Sequence, residues 1–203
     1  VDDVLDVIRA EGEHSIMSMA GLSEGDDIFA PVLTSARRRA IWLAINLATA
    51  FLAAWMIGRF EATIDQLVAL AILMPVVASM GGIAGSQTLT IMIRGLALGH
   101  VSSANARPLL IKEVAVAAIN ALLWATVVAV IASLWFGSVG LGVVIGLAMS
   151  VNLLAAAFAG YAIPLVLRRL NIDPALAGGV LLTTITDVIG FVAFLGIATL
   201  VLL

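Results

Sequence analysis

The sequence predicts an all-α integral membrane protein with five transmembrane helices, its N-terminus cytoplasmic and its C-terminus outside. Three observations predict this. Of the 203 residues, 63% are hydrophobic and only 11% are charged, about half the charged share of an ordinary soluble domain, so a soluble globule could not cover its surface. Charge-free stretches recur that reach the roughly 20 residues needed to cross a hydrocarbon core about 30 Å thick. The cationic residues, finally, collect at alternate ends of those stretches. Cysteine is absent, which excludes disulfides, thiolate zinc sites and a thiol nucleophile.

The chain opens on an acidic head. Residues 1–36 hold eight acidic side chains and one basic one, whereas residues 37–203 hold five acidic and nine basic. Within residues 1–20, Val4, Leu5, Val7 and Ile8 fall on one side of a helix and Asp2, Asp3, Asp6, Glu11 and Glu13 largely on another. Such a face is either a solvated surface or a site for hard divalent cations, which bind clustered carboxylate oxygens. Residues 21–31, with Asp26 and Asp27, read as a loop.

A first span follows at about residues 40–58, where Asn46 is the only strongly polar side chain between Arg39 and Arg59. From Gln66 to Ile93 there is no charge, which gives a second helix. The 54 uncharged residues between Glu113 and Arg168 supply two more, at 111–136 and 141–168, with Gly137, Ser138, Gly140 and Gly142 marking the turn. The fifth runs from about Pro174 to Leu203 and contains one charge, Asp187. Arg37, Arg38, Arg39, Arg94, Arg107, Lys112, Arg168 and Arg169 then share one side of the membrane, against Arg59 alone on the other. This bias sets the orientation. No secretory signal precedes the first span and the chain begins with Val1, so it reads as a fragment of a longer protein.

The signatures of a soluble enzyme, GxSxG and HExxH, are missing, and His14 and His100 lie far apart. Nothing points to nucleic acid as a partner. Chemistry is therefore sought among polar groups inside the membrane, the expected lipid partner, where such groups are costly. Asp187 lies 13 residues beyond Pro174, some 20 Å along the helix and near the bilayer centre. An aspartate there costs about 2.5–3.5 kcal/mol or more without partners, so it lines a cation or proton path or is a hydrogen-bonded structural group. Thr183, Thr184 and Gly190 share its neighbourhood on the helix. In the second span Pro75 removes a helical hydrogen bond, and Gly81, Gly82, Ser86 and Gln87 put small and polar residues deep in the apolar run. Gly81 and Gly85 also form a GxxxG spacing for close helix contact, as do Gly142, Gly146 and Ser150 in the fourth span. Asn152 is a weaker pore candidate, and Asn46 and Asn120 weaker still, a single buried Asn being more often interhelical glue. One Asp per chain is poor provision for a divalent ion, but a two-fold axis along the pore pairs two copies. Mg²⁺, held through its water by few carboxylates, suits such a pair, although composition alone does not select it over Ca²⁺ or Mn²⁺.

The run MPVVASMGGIAGSQTLTIMIRGLALG (74–99), the pair Lys112-Glu113, RRLNIDPALAGG (168–179) and TTITDVIGF (183–191) resemble the membrane domain of the MgtE family of magnesium channels. The order and spacing of these motifs match over essentially the whole chain. The resemblance implies a homodimeric pore lined by the second and fifth helices, in which Asp187 holds hydrated Mg²⁺ beside the backbone carbonyl of Thr183. It also implies that residues 1–36 are the end of a CBS domain and a cytosolic connecting, or plug, helix ahead of a pore domain at 37–203. Asp3, Asp6, Glu11 and Asp173 match regulatory Mg²⁺ positions that favour closure. Where the family commonly shows GGNxGNQ, Gly81 to Gln87 here read GGIAGSQ, so two amides are lost. Gly179 stands near the expected pore entrance, and His14 and Ser15 replace acidic positions of some relatives.

These readings converge on a Mg²⁺ channel in the cell membrane, with Co²⁺ or Mn²⁺ as further candidate ions. The main alternative is a proton- or sodium-coupled divalent cation carrier using Asp187 as its relay. A non-transporting membrane scaffold ranks third.

Overall fold

The computed structural model describes residues 17–18, 29–102 and 104–203, so the acidic head with Asp3, Asp6, Glu11 and His14 lies outside the described residues. The described chain forms α1 (Val32–Gly58), a short α2 (Glu61–Gln66), α3 (Ala69–Ala97), α4 (Ala106–Phe136), α5 (Val139–Arg169) and α6 (Pro174–Leu202). The five long helices have 27 to 31 residues each and are apolar enough to cross a membrane. The protein is thus a multi-pass membrane protein, with the five predicted spans in place. The first begins eight residues earlier than predicted, taking in the arginine run, and α2 was not expected at all.

Local chemistry explains where the helices stop. Gly99 has φ +68°, and the backbone N–H groups of His100 and Gly99 donate to the carbonyls of Gly95 and Leu96 at 2.8 and 3.2 Å. This left-handed cap consumes the last carbonyls of α3. RRLNIDP does the same at the end of α5. Asn171 has φ 56°, Ile172 N donates to Leu167 O at 2.9 Å, and Asn171 N to Arg168 O at 3.2 Å. Asp173 then caps α6, accepting from Ala175 N at 2.9 Å, with Pro174 as the first helical residue. Gly137, at φ +63°, ends α4, and Ser138 caps α5 by accepting from Leu141 N at 3.3 Å. Gly140 and Gly142, expected in that turn, lie inside α5 instead.

The centre of the bundle is α5. It buries residues along its length from Leu141 to Leu167, whereas α1 buries Ala53 alone. It packs against α3, α4 and α6, while α1 lies on α6. Small residues set the approach to α4: a Cβ on Gly142 would press into the Ala129 carbonyl and the Ser133 hydroxyl, and one on Gly146 would lie 3.2 Å from Ala125 O. The crossing with α3 is as tight, since a Cβ on Gly160 would come within 2.7 Å of Gly85 O and 3.0 Å of Leu89 N. Tyr161 reinforces the α4 contact by donating its hydroxyl to Ala106 O at 2.7 Å. At the far end the hydroxyls of Thr63 and Thr199 lie 2.8 Å apart, tying α2 to α6.

This packing makes a specific prediction. Gly160→Val inserts atoms where only backbone can move aside, so it should destabilise the detergent-purified protein by about 1–3 kcal/mol. Gly196→Ala, whose Cβ would meet nothing within 4 Å, should leave thermal stability unchanged or higher. Equal melting temperatures for the two variants would contradict the proposed α3–α5 crossing.

Candidate ion-conducting groove

Because α5 sits against one side of α3, the other side of α3 is left open. Two rows of residues spaced by four line it, Ala78, Gly82, Ser86 and Thr90 in one and Ser79, Ile83 and Gln87 in the other, and α6 adds Thr183 and Asp187. Together they bound a groove of about 680 Å³. Asp187 is the fourteenth of the 29 residues of α6, so it stands nearly at mid-helix. Its carboxylate accepts no hydrogen bond from the described residues, and it is half-buried at the groove.

Two of the groove's hydroxyls are directed by their own backbones. Ser86 Oγ donates to Gly82 O at 2.8 Å, and Thr183 Oγ1 lies 3.1 Å from both Gly179 O and Val180 O. Their protons are thereby committed to helix carbonyls, and what they offer the groove is oxygen lone pairs. The Thr183 carbonyl accepts from Thr186 Oγ1 at 3.1 Å. Carboxylate, hydroxyl oxygens and the Gln87 amide form a lining that favours a cation or the waters around one.

The structure sorts the predicted pore residues. Gly82, Ser86, Gln87, Thr183 and Asp187 line the groove, whereas Pro75, Gly81, Thr184 and Asn152 do not. Pro75, read as a point of irregularity, is accommodated in an unbroken α3. Thr184 turns its hydroxyl onto Val180 O at 2.7 Å. Asn152 is fully buried and donates from Nδ2 to Val77 O at 2.8 Å, binding α5 to α3. Gly81 and Gly190 lie against it: a Cβ on Gly190 would stand 2.6 Å from Asn152 Nδ2, and one on Gly81 would overlap it. Asn152 is therefore interhelical glue one turn beyond Asp187, and Gly81 is its packing partner rather than a pore residue. Ser79, Ile83 and Thr90 were missed, although the four-residue row through Gly82 and Ser86 points to Thr90. Asp173 serves as the α6 N-cap at the arginine-bearing end of the bundle.

Residues 74–197, from the second turn of α3 to the last turns of α6, match the family model MgtE, described as a divalent cation transporter. The chain belongs to the MgtE family. It is 30% identical over 199 residues to the magnesium transporter MgtE of Bacillus subtilis (strain 168), covering 98% of this chain and 44% of that protein. Over 206 residues it is 33% identical to the magnesium transporter MgtE of Thermus thermophilus, covering 100% of this chain and 45% of that one. It thus spans less than half the length of these MgtE relatives. The stretch matched by the MgtE model contains both walls of the groove.

The wedge behind the groove can be tested by a double-mutant cycle. Gly190→Ala should cost about 1–3 kcal/mol by overpacking against Asn152. Asn152→Ala removes the obstructing amide, so the double variant should be less destabilised than the sum of the singles. Strict additivity in thermal unfolding would show that the two residues do not share a contact.

Proposed function

We propose that this chain is the membrane-embedded part of a Mg²⁺ channel that works as a homodimer, with residues 37–203 forming the pore. The observation that carries this reading is a charged residue at mid-helix, Asp187, set on an open groove of acceptor oxygens. Facing lipid, that carboxylate would be expensive. Facing a second copy across a two-fold axis, it becomes half of a symmetric cation site, and the groove becomes half of a conduit.

Mg²⁺ fits the groove chemically. The ion gives up its water reluctantly and is commonly held by one or two carboxylates through its hydration shell. Six waters at about 30 Å³ each fit readily within the groove volume of about 680 Å³. Asp187 would accept hydrogen bonds from the ion's waters, as would the lone pairs of Thr183 and Ser86. Two facing carboxylates repel and titrate as a pair until a cation lies between them, which favours divalent over monovalent occupancy. Co²⁺ and Mn²⁺ form similar hydrated ions and are expected to pass as well. The names of the relatives, magnesium transporters, support the choice of ion. The cluster of Arg94, Arg107, Lys112, Arg168 and Arg169 at one end of the bundle supports a cytoplasmic orientation for that end. For regulation, Asp173 at that end and the acidic head with Asp3, Asp6 and Glu11 would bind cytosolic Mg²⁺ in the closed state, giving feedback by mass action.

The test is Mg²⁺ flux into liposomes carrying the purified protein. Asp187→Asn should reduce flux to the level of empty liposomes while its elution on size exclusion is unchanged. Wild-type flux should follow the electrochemical gradient of Mg²⁺ and be indifferent to collapse of the proton or sodium gradient. Undiminished flux in the variant removes Asp187 from the pathway; dependence on a second ion gradient establishes a carrier instead.

A further inference from the structure

The helix that supplies most of the groove has a second polar face. On it, Thr88 Oγ1 donates to Glu113 Oε2 at 3.1 Å, across from α3 to α4. Glu113 lies seven residues beyond Ala106, the first residue of α4, or about 10 Å along the helix, and its side chain is only 7% exposed. A carboxylate so enclosed needs strong compensation. It has little. Thr88 provides one neutral hydroxyl, and the Lys112 ammonium is 3.9 Å from Oε1 on a side chain that is 65% exposed.

Beside the carboxylate is space, walled by apolar side chains such as Met80, Val116 and Leu153 and by a few oxygen-bearing ones. The helices α3 and α4 scarcely pack on one another, and the gap between them holds a cavity of about 170 Å³ walled by Glu113, Thr88, Gln87, Asn120 and Trp124 among its polar residues. That is room for several water molecules. Asn120 Nδ2 donates one of its hydrogens to Val116 O at 3.1 Å, which leaves its carbonyl oxygen available to a cation or its waters. Ile83 and Gln87 line both this cavity and the Asp187 groove, and so form the partition between them.

We infer that the cavity is a second cation site, off the line of the groove, for a hard divalent cation that keeps part of its water. Glu113 supplies the charge, and the neutral oxygens of Thr88, Asn120 and Gln87 receive the ion or its waters. This donor set, one carboxylate with hydroxyl and amide oxygens, suits an oxygen-seeking ion and no soft metal. Lys112 at the rim supplies the counter-charge that the ion replaces, so it competes with the ion. Occupancy would also fix Gln87 from behind and thereby couple the cavity to the groove on the far side of α3. The site does not depend on Asp187 carrying an ion, because Glu113, Thr88 and Asn120 all lie on the other face and only Gln87 borders both spaces.

Trp124 provides a local probe. In lipid nanodiscs of phosphatidylcholine, a protein with Asp187→Asn and with Trp124 as the only one of the chain's four tryptophans is titrated with Mn²⁺, a paramagnetic quencher. Saturable quenching of Trp124 that Mg²⁺ reverses is expected. Glu113→Gln should remove the saturable phase, and Lys112→Gln should move the midpoint to severalfold lower Mn²⁺. Absence of saturable quenching, or quenching indifferent to Glu113→Gln, overturns the inference and leaves Glu113 as a purely structural group. An unmoved midpoint in Lys112→Gln also counts against it, and that exposed substitution tests the site even if Glu113→Gln fails to fold. Asp187 is absent from every arm, so the outcome is separate from that of the flux experiment.

Discussion

The contact on which the rest of the structure depends is the near-touching of backbones where α5 crosses α3. Gly160 admits the Gly85 carbonyl and the Leu89 amide, and one side chain, Asn152, fills the space between Gly81 and Gly190 while bonding Val77 O. In hydrocarbon there is no hydrophobic force to hold helices together, so close packing and interhelical hydrogen bonds must do it. This crossing fixes the rotation of α3 about its own axis. The row Gly81, Gly85 and Thr88 is turned into protein, and the row Gly82, Ser86 and Thr90 is left facing the groove.

Two polar faces on one apolar helix are the consequence. One is the wider and is bordered by an aspartate at mid-helix; the other is smaller and is bordered by a glutamate nearer the arginine-bearing end. Both rely on hydroxyls and amides rather than on further charges, which keeps the apolar character of α3 and α4 intact. A single negative charge among neutral polar groups suits a hydrated cation better than a dehydrated one, because the waters of the shell can donate to the carboxylate and bond the neutral groups around it.

Much of this was legible in the sequence, for reasons that differ by residue. The spans were legible because a bilayer demands length and the absence of charge, and Gly137 marked a turn because a left-handed cap favours glycine. Asp187 stood out because no other charge is stranded so far from a helix end. The faces of α3 were not legible: Gly81 and Gly82 are adjacent and chemically identical, yet one abuts Asn152 and the other the groove. Asn152 could not be placed because a buried amide looks the same in sequence whether it meets an ion or a carbonyl. Glu113 enters the sequence reading only with Lys112 as a motif of the family resemblance, since sequence cannot show that Lys112 points outward and Glu113 inward. The α2 turn escaped because its six residues are too short for periodicity to register.

An Asp187-centred pore is tested most directly by locating the ion. If two copies pair as proposed, crystals of the protein soaked with Mn²⁺ should give an anomalous peak on a two-fold axis between two Asp187 carboxylates, about 4 Å from their oxygens, one water layer away. Such a peak should disappear in Asp187→Asn. Manganese bound elsewhere along α3 and α6 with none facing Asp187, or a dimer whose grooves point away from each other, would contradict a pore built on this residue.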